Sequence, residues 1–171
     1  MKKQALKKAL KKNALTALII SGSLAPMLIS AIACLGRGII GYATVNTATV
    51  ILSVASLLSA TAASVIALLS ENRFSAVFFS VIWGLCAVCY LIFMISQTTD
   101  VLSDAFFESL MLVVALPVWS YMPLLSGIFG ASGQAAGIAA IVISFILMAF
   151  NIFSALYMSR KKNTEAEDIA Q

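Results

Sequence analysis

The sequence predicts an all-α integral membrane protein: a bundle of four transmembrane helices plus an outer-face half-helix or interfacial segment, with five spans as the alternative. Three observations predict it. Hydrophobic residues make up 61% of the 171 and charged residues 11%, against roughly 45–50% and 25% in soluble domains. Mean hydropathy is +1.03, more apolar surface than a water-soluble fold can hide. The charges also avoid the apolar runs: apart from the two termini and the stretch Gln97 to Glu108, only Arg37, Glu71 and Arg73 remain. A charge at the bilayer centre costs at least ~2.5 kcal/mol, so a multi-span chain must be patterned this way.

Residues 1–13, MKKQALKKALKKN, place Lys2, Lys3, Lys7, Lys8, Lys11 and Lys12 around a narrow apolar edge of Ala5, Leu6, Ala9 and Leu10. At about 100° per residue Leu6 and Leu10 fall about 40° apart, so a helix here is amphipathic and basic. It can lie on an anionic inner leaflet, at roughly 1 kcal/mol per lysine, or act as a solvated charge cluster that sets topology.

The first apolar run, Ala14 to Leu35, is long enough for a ~30 Å hydrocarbon core. It exceeds the usual ~7–15-residue core of a signal peptide, which favours an uncleaved anchor over cleavage before Cys34. A lipid-modified Cys34 is weaker still, because Ala31 stands where such signals carry a large aliphatic residue.

The second run, Ala48 to Leu69, repeats Ala55, Ser59, Ala63 and Ala67 at four-residue spacing, with Ser56, Ala60 and Ser64 one position along. Small residues repeated this way make a flat helix edge for close backbone approach, within the molecule or against a partner. A short charged break, SENR, leads to the third run, Phe74 to Ser96, which is therefore expected antiparallel to the second. The fourth, Ala135 to Met158, ends in Arg160, Lys161 and Lys162 and a polar tail, residues 159–171. Gly133 and Gly137, followed by Ala140 and Ser144, give it a close-packing edge of its own, and Asn151 is its one strongly polar interior residue. An interhelical hydrogen bond worth on the order of 1 kcal/mol accounts for Asn151.

VALPVWSYMPLLSG, within residues 104–125 and just beyond, decides the number of crossings. With four spans every one of the 11 bases except Arg37 shares the side of the N-terminus; a fifth span moves Arg160, Lys161 and Lys162 across. The positive-inside rule prefers four, with both termini cytoplasmic. Pro117 and Pro123 each lack an amide donor, and Trp119 and Tyr121 belong to types that favour the headgroup level. A helix from Asp104 to Leu116 would be about 20 Å long, too short to cross. The segment is expected to enter from the outer face, break at Pro117 and return along the interface.

Chemistry-bearing patterns are few. Cys86 and Cys89 form a Cys-x-x-Cys pair of the kind used by membrane thiol oxidoreductases, but it lies inside the third run and Cys34 stands alone; an apolar setting suppresses thiolate. Asp100, Asp104 and Glu108 recur every four residues. On one helix face they could hold a divalent cation through oxygen ligands, while the plainer reading is capping of an outer helix. Histidine is absent and three cysteines are too few for a disulfide framework. No acid or base lies inside the four runs, which leaves a proton relay, coupling-ion site or voltage sensor without a residue. Neither a phosphate-binding glycine loop nor a nucleophile elbow appears.

These features lead to a single transmembrane domain, residues 14–158, in the cell membrane, with no enzymatic activity, cofactor, metal or nucleic-acid partner expected. Its expected partners are the bilayer, its anionic inner leaflet, and another membrane protein or a second copy. The leading expectation is an accessory or scaffolding subunit that works by helix–helix association. The alternatives are a protomer of an oligomeric small-solute transporter or channel and, more remotely, a thiol oxidoreductase using Cys86 and Cys89.

Overall fold

The structure, a computed structural model, describes residues 2–35, 46–99, 116–129 and 134–170. These form α1 (Lys2–Leu35), α2 (Thr47–Leu69), α3 (Arg73–Thr99), α4 (Leu116–Trp119), α5 (Met122–Phe129) and α6 (Gln134–Ala170), with no strand among them. Four are long and apolar enough to cross a membrane, over Leu10–Ala33, Thr47–Leu69, Arg73–Ile92 and Gln134–Thr164. The chain is thus an all-α bundle with four candidate spans.

The basic N-terminal segment is not a separate helix: α1 runs without interruption from Lys2 through the first span. The polar tail likewise continues α6 to Ala170. Inside α1, Pro26 removes one amide donor, a loss tolerated in membrane helices when neighbours compensate. Asn46 starts α2 through a capping box, its Oδ1 accepting from Thr49 N–H at 2.8 Å while Thr49 Oγ1 accepts from Asn46 N–H at 3.1 Å.

The SENR break is a compact reversal. Asn72 N–H donates to the Ala67 carbonyl at 2.8 Å and Glu71 N–H to the Leu68 carbonyl at 3.1 Å, the paired bonds that close a helix on a left-handed residue. That residue is Glu71, at φ 52°, where a glycine would be strain-free. Asn72 then caps α3, its Oδ1 accepting from Ser75 N–H at 3.2 Å, and its Nδ2 donates to Thr16 Oγ1 on α1 at 2.7 Å. Glu71 pairs with Lys161 of α6. The start of the first span, the α2–α3 turn and the end of the fourth span therefore meet at one end of the bundle, the basic end.

α3 and α6 make the most extensive helix pair and α1 with α2 the next. A Cβ at Gly84 would meet Met148 Sδ at 3.0 Å, and one at Gly137 would meet Met94 Sδ at 2.9 Å. The two glycines let thioethers lie directly on the opposing backbone. This register, 84 against 148 and 94 against 137, makes α3 and α6 antiparallel. The end of α3 and the start of α6 consequently share the far end of the bundle, and the chain between them makes no net crossing. The five-span alternative is excluded by that geometry.

Only 28% to 39% of each span's most apolar window is buried. The remaining faces carry residues such as Leu18, Ile32, Ile51, Leu58, Val81 and Ile146. Large aliphatic side chains outward and small or hydroxyl side chains inward is the inversion that a lipid solvent permits.

Candidate functional site

The centre of the bundle is organised around the segment the prolines break. Pro117 is the second residue of α4 and Pro123 the second of α5. Each occupies a first turn, where a missing amide costs nothing, and each forbids the preceding helix from running through it. Two short helices separated by Ser120 and Tyr121 result. The segment does not lie along the surface: Val118, Trp119, Ser120, Tyr121, Met122, Pro123 and Leu125 are all buried. Trp119 and Tyr121, which by residue type suit the headgroup level, are 4% and 0% exposed.

Depth follows from the helices that hold it. Ser30 Oγ donates to the Ser120 carbonyl at 2.6 Å, and Ser56 Oγ donates to Ser120 Oγ at 2.7 Å. Ser30 lies about 21 Å along α1 from Thr16, and Ser56 about 20 Å along α2 from Leu69, at about 1.5 Å per residue. The break therefore sits about 20 Å along the bundle from its basic end, within the apolar length of both α1 and α2. Irregular backbone at that depth is tolerated only where protein or a polar cavity satisfies it. Here two serines from α1 and α2 do so, and Ser120 Oγ donates in turn to the Pro117 carbonyl at 2.6 Å.

Aromatic packing fixes the other side. Tyr121 and Trp83 have ring centroids 6.2 Å apart, and Trp119 meets Tyr90 edge-on at 6.2 Å. The Tyr121 and Ser144 hydroxyls are 2.7 Å apart and both reach the Ala140 carbonyl, at 3.2 and 2.9 Å. Tyr90 OH donates to the Met122 sulfur at 3.7 Å. The broken segment thus touches all four spans and closes the bundle from the far end.

Between this plug and the basic end lies a second polar group. Asn151 Nδ2 donates to Ser64 Oγ at 3.0 Å and to the Leu147 carbonyl at 2.7 Å, but its Oδ1 has no protein partner. Ser23 Oγ on α1 and Trp83 Nε1 on α3 are equally buried and unpartnered. Such orphans are rare in folded proteins and call for water or a ligand. They are a hydroxyl, an amide oxygen and an indole N–H, all uncharged.

The α2 edge packs mainly inside the molecule. Thr49, Ser53, Ser56, Ala60, Ala63, Ser64 and Ala67 are buried, Ser59 is half-buried and Ala55 is exposed. Gly137 is buried against α3; Gly133, Asp100, Asp104 and Glu108 lie outside the described residues. Cys86 is buried and Cys89 half-buried, with no disulfide between them. No cluster of three potential metal ligands occurs among the described residues. Ser30, Trp83 and Tyr90, central to the site, carry no pattern in the sequence that separates them from other serines and aromatics of the apolar runs.

Comparison with protein-family models, curated proteins and solved structures finds no match to this chain.

Proposed function

We propose that the chain is a four-span protein of the cell membrane, with both ends cytoplasmic, whose interior binds and passes a small neutral polar solute. The buried segment α4–α5 is its closure on the outer side. The observation that carries this reading is the set of orphaned polar atoms, Ser23 Oγ, Trp83 Nε1 and Asn151 Oδ1, beneath a re-entrant segment held by hydroxyl hydrogen bonds. Intramembrane polar groups are expensive and concentrate where a solute path runs. The absence of any acid or base inside the four apolar runs, residues 14–35, 48–69, 74–96 and 135–158, argues for uncharged cargo without ion coupling.

The orientation rests on the basic end, where Lys11, Lys12, Arg73, Arg160, Lys161 and Lys162 gather and which the positive-inside rule assigns to the cytoplasm. A single cysteine at Thr164, with Cys34, Cys86 and Cys89 replaced by alanine, is expected to resist an impermeant maleimide in intact cells and react after permeabilisation. Labelling of intact cells would reverse the orientation.

Transport is tested by shrink–swell light scattering of vesicles holding the purified protein and challenged with urea or small polyols. Re-equilibration several-fold faster than in protein-free vesicles is expected for at least one of them. Equal rates across the series would leave the accessory-subunit reading in first place. One observation favours that second reading: Ala55, Ser59 and Ala62 remain wholly or partly on the outer surface of α2, a small-residue edge open to another helix. Under it, a stoichiometric partner should co-purify in mild detergent.

A further inference from the structure

We propose that the basic end holds a specific site for the phosphate headgroup of an anionic phospholipid. A cleft of about 480 Å³ opens there between three segments, lined by Lys12 of α1, Glu71 of the α2–α3 turn, Arg73 of α3, and Met158, Lys161 and Lys162 of α6. An adjoining cleft of about 350 Å³ shares Lys12 and Glu71 and adds Lys11 and Leu15. The carboxylate in the first cleft is already engaged, since Glu71 pairs with Lys161. Lys12, Arg73 and Lys162 are thus in excess of the carboxylate that lines the cleft.

Fixed cations brought from three separate helices repel one another unless an anion sits between them, and phosphate oxygens supply the acceptors. Position decides in favour of a lipid over a soluble phosphate. Lys12 and Lys162 lie at the outer margins of apolar spans, and Leu15 and Met158 add apolar lining to the two clefts. Tyr157, 54% exposed on the neighbouring face of α6, sits where an aromatic side chain marks the headgroup level. Basic pockets between membrane helices on the cytoplasmic side are the usual seats of such headgroups. The site differs from diffuse attraction of the N-terminal lysines to the leaflet, because most of its cations come from elsewhere in the chain. It does not depend on the solute-path reading.

The experiment uses the full chain in a neutral detergent, with lipid adducts counted by native mass spectrometry and Tm followed by tryptophan fluorescence. Phosphatidylglycerol is expected to form one preferred adduct per chain and raise Tm; phosphatidylcholine and inorganic phosphate at the same concentration are not. Arg73→Gln with Lys162→Gln, both at exposed positions and sparing the Glu71–Lys161 pair, should weaken the adduct about thirty-fold, roughly fivefold for each cation removed. Gln replacement of Lys2, Lys3, Lys7 and Lys8 should leave it in place. The proposal is overturned if phosphatidylcholine binds equally, if free phosphate reproduces the Tm shift, or if the N-terminal variant and not the cleft variant loses the adduct.

Discussion

Replacing Tyr121 by alanine is expected to cost the folded protein about 3 kcal/mol, at the low end of the range for deleting a large buried aromatic. The ring is 0% exposed, packs on Trp83 at 6.2 Å, and sits in a segment tied to α1 and α2 on one side and α6 on the other. Those ties keep the site from collapsing around the void. The low end applies because lipid solvates the unfolded reference, so that lost van der Waals contact, not transfer from water, dominates. Tyr121→Phe keeps the ring and removes only the hydroxyl shared with Ser144 and the Ala140 carbonyl, and should cost about 0.6–1 kcal/mol. Reversible unfolding in mixed micelles with increasing dodecyl sulfate measures both. Two variants with equal losses would mean that the hydroxyl, not the ring, holds the segment; a near-neutral alanine variant would mean that the ring is not buried.

What the sequence made legible was set by the length of the apolar runs and the placement of charges. Four spans emerge from those alone, and the charge count that favoured four agrees with the antiparallel register of α3 and α6. The depth of the broken segment was not legible. Pro117 and Pro123 announce the breaks, but Trp119 and Tyr121 are equally at home at a headgroup and in a packed core where their polar ends find partners. Tyr121 finds Ser144, while Ser30 and Ser56 hold Ser120 between the two aromatics, Ser30 from 90 residues away. The small-residue edge shows the same limit in another form. A four-residue repeat drifts about 40° per step around a helix of 3.6 residues per turn, so Ala55 and Ala67 point about 120° apart. The buried edge instead advances by threes and fours, through Ser53, Ser56, Ala60, Ala63 and Ala67. Asn151 was readable as a hydrogen-bonding residue, whereas its partner Ser64 and its idle Oδ1 required the packing.

Joining the broken segment to α2 by a disulfide is expected to arrest solute movement. Ser56 Oγ and Ser120 Oγ are 2.7 Å apart. Sulfurs in their place need approach only to about 2.05 Å, which modest side-chain rotation supplies. In a chain lacking Cys34, Cys86 and Cys89, Ser56→Cys with Ser120→Cys should therefore oxidise readily and show an intramolecular bond by gel shift. The bond would close a loop between positions 64 apart in sequence and raise resistance to unfolding by about 2–4 kcal/mol if unstrained. If α4–α5 must withdraw to admit solute, the oxidised protein should equilibrate urea or polyol no faster than empty vesicles, and reduction should restore the rate. The reduced double variant is the control, because it already lacks the hydroxyl that Ser120 donates to the Pro117 carbonyl. A bond that forms while flux continues would remove α4–α5 as the gate and leave it a structural plug. Failure of the cysteines to join would contradict the depth at which the segment sits.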